Sequence, residues 1–180
     1  MKASSISFLI ILAALYYSCS IICHASSISA ICSTTANETL CIQTLKSTQN
    51  CTNDDLRCMA RFVTKQAINA AKNVQNIAQL LLSRQNKSGP NYQGTGPLND
   101  CATNCNTTLY YLGSCYGPLK QSGSSAQTNL LNWAWFAESY LNNCDQDFGP
   151  SVEPQELAAA SSTAKQLIEI LLTVAVIIPV

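Results

Sequence analysis

Between Thr52 and Ser88 the chain carries neither Gly nor Pro, and its apolar or small residues fall at Leu56, Met59, Val63, Ala67, Ala70, Val74, Ile77 and Leu81. Steps of three and four residues put these positions on one stripe of an α-helix. Thr52 or Asn53 offers a side-chain oxygen to cap it. Asp54 and Asp55 suit the positive first turn, and Arg84 and Lys87 suit the negative end before Gly89-Pro90. The turn-rich stretch from Ser88 to Gly96 leads to Pro97, which suits the first position of a second helix striped with Leu98, Cys101, Cys105, Leu109 and Leu112. Gly113 and Gly117-Pro118 weaken or end that helix. After a Gly/Ser loop from Lys120 to Ser125, a third helix aligns Leu130, Ala134, Ala137, Leu141 and Cys144 and stops at Phe148-Gly149-Pro150. Pro154 opens a fourth, with Leu157, Ala160, Ala164, Leu167, Leu171 and Val174 inward and Pro179 at its end.

Strict alternation is not sustained anywhere, so no sheet is expected. Four amphipathic helices joined by fairly short loops predict an all-α, antiparallel up-and-down four-helix bundle over residues 51–180. Many inward positions are Ala, which lets the helices approach closely. Residues 26–50 form a separate N-terminal hairpin extension, with Cys32 and Cys41 in short helices or turns clipped together.

The first 25 residues change the chemistry. Met1-Lys2 precedes an apolar run centred on residues 8–17, and Cys23-His24-Ala25 places small residues at −3 and −1 of a cleavage site. This reads as a secretory signal peptide, since the apolar run is shorter than the roughly 20 residues that span a bilayer. Its removal takes away Cys19, Cys23 and the one histidine of the chain, His24, and leaves eight of the ten Cys. An even Cys count on a secretory route predicts disulfides. Sequons at Asn37, Asn50, Asn86 and Asn106 agree with secretion and are candidate glycosylation sites.

Charge narrows the partners. Lys plus Arg and Asp plus Glu are ten each, and charged residues make up 11 % of the chain. No basic field is present to hold nucleic acid. Without His, the mature chain has no Ser-His-Asp triad and no Cys-His nucleophile pair. Cys101-x3-Cys105 lacks a His ligand in an oxidising compartment, so no metal site is expected. Asp54, Asp55, Asp100, Glu153 and Glu156 lie near helix ends, where the helix dipole explains them without glycosidase chemistry. No enzyme activity and no cofactor are expected. A lipid-transfer protein would bring an adjacent Cys-Cys pair and a Cys-x-Cys pair, and neither is present. The apolar tail from Leu167 to Val180 could mimic a lipid-anchor signal. Glu169 interrupts it and the polar spacer is short, so it reads as the end of the fourth helix, with no membrane attachment of the mature form.

Cys32-Ser33-Thr34-Thr35 followed by Cys41 matches Cys-x-x-Thr-x5-Cys. Asp100-Cys101 opens the second bundle helix after Gly96-Pro97-Leu98, and Trp133, Cys144 and Phe148 close the third. In these residues and in the order of its elements the chain resembles the plant invertase and pectin methylesterase inhibitor family. The resemblance implies a secreted inhibitor that covers the substrate cleft of a cell-wall carbohydrate enzyme in the apoplast, most simply a pectin methylesterase. An acid invertase, in the wall or the vacuole, is the alternative target, and a non-inhibitory secreted helical or lipid-binding protein is the alternative class. The resemblance also implies the disulfides Cys32–Cys41 and Cys101–Cys144. The chain departs from the family's pattern where Ala36-Asn37-Glu38 replaces Pro-Tyr-Pro, Cys105 replaces Tyr and Trp135-Phe136 replaces a Ser-Ala pair. The Pro-Lys-Phe motif of invertase inhibitors is missing around Ser122 to Gln127, whereas Gly96-Pro97-Leu98 is like theirs.

Four cysteines remain. Cys101 and Cys105 share a face of the second helix, and one of them can take Cys144. Cys58–Cys115 is geometrically possible and Cys51–Cys58 is a local rival. A binding face follows from helical phasing. At 100° per residue Trp135 and Phe136 turn well away from the core stripe of the third helix, with Asn132, Ser139, Asn142 and Asn143 on the outward side, and Tyr110 and Tyr111 turn off the core stripe of the second. Aromatic rings among small polar residues suit a protein interface. The expected partner-binding set is Tyr110, Tyr111, Asn132, Trp135, Phe136, Ser139 and Asn142.

Overall fold

The structure is a computed structural model that describes residues 28–48, 51, 55–86, 95–149 and 153–179. The expected signal peptide, the Asn50 sequon, Gly89-Pro90 and the expected capping positions 52–54 lie outside the described residues, as does the side chain of Asn86. Among the described residues six α-helices follow one another: α1 (Ile28–Cys32), α2 (Glu38–Lys46), α3 (Leu56–Asn86), α4 (Thr95–Ser114), α5 (Ser124–Gln146) and α6 (Gln155–Ile177), with a 3₁₀ turn over Pro118–Lys120. The chain is all-α, and α3 to α6 form the bundle. Helix α3 packs against α4 and α6, and α5 lies against both α4 and α6, closing the ring.

The N-terminal hairpin is held by short side chains. The hydroxyls of Ser33, Thr34 and Thr35 donate to the Ala30, Ile31 and Cys32 carbonyls, satisfying the open acceptors at the end of α1. This explains the Thr of Cys-x-x-Thr: Thr35 is buried and its Oγ1 sits 2.8 Å from the Cys32 oxygen. Asn37 caps α2 by accepting from the Leu40 N–H at 3.0 Å. The hairpin is fastened to α6 where the Ala36 N–H donates to Glu169 and Asn37 Nδ2 donates to Gln166. The charge that interrupts the apolar tail is thus a docking point for the hairpin.

Phasing along the bundle is close to the sequence reading, with instructive shifts. Asp55 lies ahead of α3 rather than in its first turn, and its Oδ1 accepts from the Cys58 N–H at 2.8 Å. The buried line of α3 runs through Ala60, Val63, Ala67, Ala71, Val74 and Ala78, while Ala70 and Ile77 are half-buried. Small Ala residues face the bundle axis and the larger side chains pack on the flanks, because two neighbouring helices cover this face. On α4 Thr108 is buried and Leu109 is half-buried, and the Thr108 hydroxyl donates across to the Ala137 carbonyl of α5. On α6 Ser161 is buried in place of Ala160 and donates to Asp145 at 2.6 Å. The inward line of α5 is Leu130, Ala134, Ala137, Leu141 and Cys144, all buried.

Glycine and proline set the ends. Gly123 at φ +100° precedes α5 and Gly149 at φ +50° follows it, both in conformations that side chains disfavour. Pro97 is the third residue of α4, within the turn whose N–H groups have no helical partner. Arg61 donates to the Leu119 carbonyl, Arg57 to Gln121 and Pro179, and Gln127 to Ala175, Val176 and Ile178. These bonds gather the start of α3, the α4–α5 connection and the end of α6. By length and composition α6 could cross a membrane. In the bundle its Leu157, Ala164, Ile168, Leu171 and Val174 are buried.

Candidate functional site

The seam between α4 and α5 carries a continuous aromatic surface. Tyr111 leaves α4 beside the core line and reaches three rings of α5. It stacks on Trp133 with centroids 5.7 Å apart and on Tyr140 at 5.6 Å, and meets Phe136 at 5.2 Å. Tyr110 stands edge-on to Tyr111 at 5.3 Å, and Trp135 edge-on to Phe136 at 5.3 Å. Such offset and edge-on pairs are the favoured arrangements of aromatic rings. The cluster runs from a half-buried centre to an open rim, with Tyr110 68 %, Trp135 57 % and Phe136 36 % exposed.

Of the seven residues expected to bind a partner, the structure brings Tyr110, Tyr111, Trp135 and Phe136 into one contact network. Asn132 is exposed and Ser139 is half-buried. Helical phasing sets both between Trp135 and Phe136 on the outer side of α5. Asn142 is half-buried, and its phase sets it within about 20° of Trp135, two turns further along α5. Sequence reasoning missed Trp133 and Tyr140 as members. Their spacing from Phe136, three and four residues, was the available signal, since it stacks all three on one flank.

At the far end of the same seam Asn104 donates to Asp147, and a cleft of about 350 Å³ is lined by Asp100, Thr103, Asn104, Asn143, Gln146 and Asp147. Burial raises the Asp147 carboxyl above its ordinary range, against the lowering effect of the Asn104 hydrogen bond. On the opposite flank of α5 Asp145 pairs with Lys165 of α6. Burial, then the Glu169 charge, raises the Glu138 carboxyl, with Lys165 opposing. Burial and the Asp145 charge raise that of Glu153.

Disulfides join Cys32 to Cys41, Cys51 to Cys58 and Cys101 to Cys144. The Cys58–Cys115 possibility is thereby removed: Cys51 reaches Cys58 across the start of α3 with Cα atoms 5.6 Å apart. Cys105 and Cys115 are buried free thiols, each pushed up to about 12 chiefly by burial. The sulfurs of Cys101, Cys105 and Cys144 lie within 4.8 Å of one another. Two of them are already bonded, so one thiol remains where a metal would need several. Among the sequon asparagines, Asn37 is engaged at its Nδ2. Asn106 is exposed on α4 and accepts from Gln75 through Oδ1.

A family model described as plant invertase/pectin methylesterase inhibitor matches residues 26–174. A pectinesterase inhibitor of Actinidia deliciosa is 29 % identical over 154 residues, covering 84 % of this chain and 79 % of its own. A crystal structure of mutant form A of a pectin methylesterase inhibitor from Arabidopsis superposes with a TM-score of 0.72 at 17 % identity, over 86 % of this chain and 99 % of its own. Another, of a pectin methylesterase inhibitor from Arabidopsis thaliana, gives 0.62 at 17 % identity over 87 % and 99 %. These two likenesses are of fold.

Proposed function

The chain belongs to the plant invertase/pectin methylesterase inhibitor family, and from that premise we propose that it inhibits a pectin methylesterase by laying the α4–α5 aromatic face over the substrate cleft. The observation that carries this reading is the exposed end of the ring cluster, Tyr110, Trp135 and Phe136, continuous with a half-buried base at Tyr111. A base packed beforehand lowers the ordering cost of binding, and exposed Trp and Tyr are the side chains on which interfaces concentrate their energy. The inhibitor needs no chemistry of its own, which agrees with a mature chain without His and with members of this family being inhibitors rather than enzymes. The named relative favours the esterase as target. An acid invertase is the second reading, favoured by Gly96-Pro97-Leu98. Leu98 is 1 % exposed, however, so this element serves the start of α4 more directly than a binding surface. Secretion to the apoplast, through cleavage after Ala25, and glycosylation at the accessible Asn106 belong to the same proposal.

The test is the double variant Trp135→Ala/Phe136→Ser, assayed against a plant pectin methylesterase and an acid invertase. Helix content is expected to be unchanged, with inhibition of the esterase weakened at least about tenfold. A folded double variant that inhibits the esterase like the wild type rejects this face. Wild-type protein that inhibits the invertase and spares the esterase rejects the target.

A further inference from the structure

The sulfur cluster at the base of the seam is used by nothing described so far. Cys101 and Cys105 stand one turn apart on the inward line of α4, opposite Cys144 of α5. The bonded pair has Cα atoms 4.1 Å apart, and the free thiol of Cys105 lies within 4.8 Å of both bonded sulfurs. All three cysteines are fully buried. A thiol held beside a disulfide is the reactant pair of thiol–disulfide exchange, brought together here by one helical repeat.

We propose that Cys101, Cys105 and Cys144 form an internal exchange site in which Cys105 can displace Cys101 from Cys144, moving the α4–α5 crosslink by one helical turn. In the step, Cys105 Sγ gives up its proton and attacks Cys144 Sγ. The Cys105–Cys144 bond forms as the Cys101–Cys144 bond breaks. The bonding pair leaves on Cys101 Sγ, which takes up a proton. One disulfide and one thiol stand on each side, so no oxidant is consumed. The second crosslink would hold α4 one turn nearer to Tyr111, its α5 end remaining at Cys144. Burial, and after it the Asp145 carboxylate, keeps the Cys105 thiol protonated in the folded chain. Exchange therefore belongs to openings of the seam and to oxidative folding, when a thiolate can form. The proposal is independent of which enzyme the protein inhibits.

The test is a linkage map of the wild-type protein after equilibration in a glutathione redox buffer. Thiols are alkylated under denaturing conditions before digestion. No Lys or Arg lies between Cys101 and Cys105, so both stay on one tryptic peptide, and fragmentation tells which carries the alkyl group. The expected result is a second form, about 1–10 % of chains, with Cys105 joined to Cys144 and Cys101 alkylated. Recovery of Cys144 joined to Cys101 and to nothing else overturns the proposal. In a second arm, Cys101→Ser is expected to secrete as a folded protein with Cys105 joined to Cys144 and one thiol at Cys115. A folded Cys101→Ser protein with Cys105 and Cys144 both alkylated overturns it equally. A variant that does not fold leaves the decision with the wild-type map.

Discussion

Tyr111 is the side chain on which the seam depends. It touches four other rings and is half-buried, so its loss removes packing and ring pairing together. Tyr111→Ala is expected to cost about 2 kcal/mol, read as a lower urea midpoint with an unchanged slope. Trp135→Ala, at a site 57 % exposed, should leave the midpoint nearly unmoved. That contrast separates a residue that builds the surface from one that displays it. Glu138 carries a different expectation. Burial raises its folded pKa above the unfolded value of 4.5. Between those two values the native state keeps a proton the unfolded chain has lost, so stability falls as pH rises through that window. Glu138→Gln removes the effect. It should be at least as stable as wild type at about pH 7, with any advantage gone by about pH 4. Urea titrations at the two pH values check it. Trp135 and Phe136 could be placed from sequence because they stand clear of the core line. Trp133 and Tyr140 were missed despite their spacing from Phe136, because a flank position is neither core nor surface and a two-way division assigns it to neither. Thr108 and Ser161 were hidden by their polarity, since the acceptors that let them be buried sit on other helices.

At the scale of the element, local signals sufficed wherever the physics is local. Gly123 and Gly149 fix the ends of α5 through backbone conformation, and Pro154 stands at the start of α6, so these boundaries were visible in the residues themselves. The start of α3 was legible to within a turn, because any of several short polar residues can cap and the fold selects Asp55. The inward line of α3 was less so. Its stripe drifts in the sequence toward Ala70 and Ile77, and which side wins depends on where α4 and α6 sit. The partner of Cys58 also lay beyond periodicity. Spacing allows both Cys51 and Cys115, and the choice follows from where the fold sets Cys51 beside Cys58.

Taken whole, the molecule is a ring of four helices with a hairpin fastened across α6, crosslinked on very different loop lengths. Cys101–Cys144 spans 43 residues, against nine for Cys32–Cys41 and seven for Cys51–Cys58. In the chain-entropy account the longest loop contributes roughly 4 kcal/mol and the shorter two about 2.5 each. Thermal midpoints should therefore fall furthest when the α4–α5 bond is abolished by Cys144→Ser, which removes the partner that Cys101 and Cys105 would share. Equal losses from removing each of the three bonds would contradict this ranking. Cys105 inside α4 and Cys115 just past its end are both fully buried, ten residues apart on the chain. They make α4 its own stopwatch. A thiol dye added to the native protein can react only as fast as the helix lets it in. Equal rates at the two positions would mean that α4 lifts from the bundle as a unit, and a faster Cys115 that it peels from its C-terminal end.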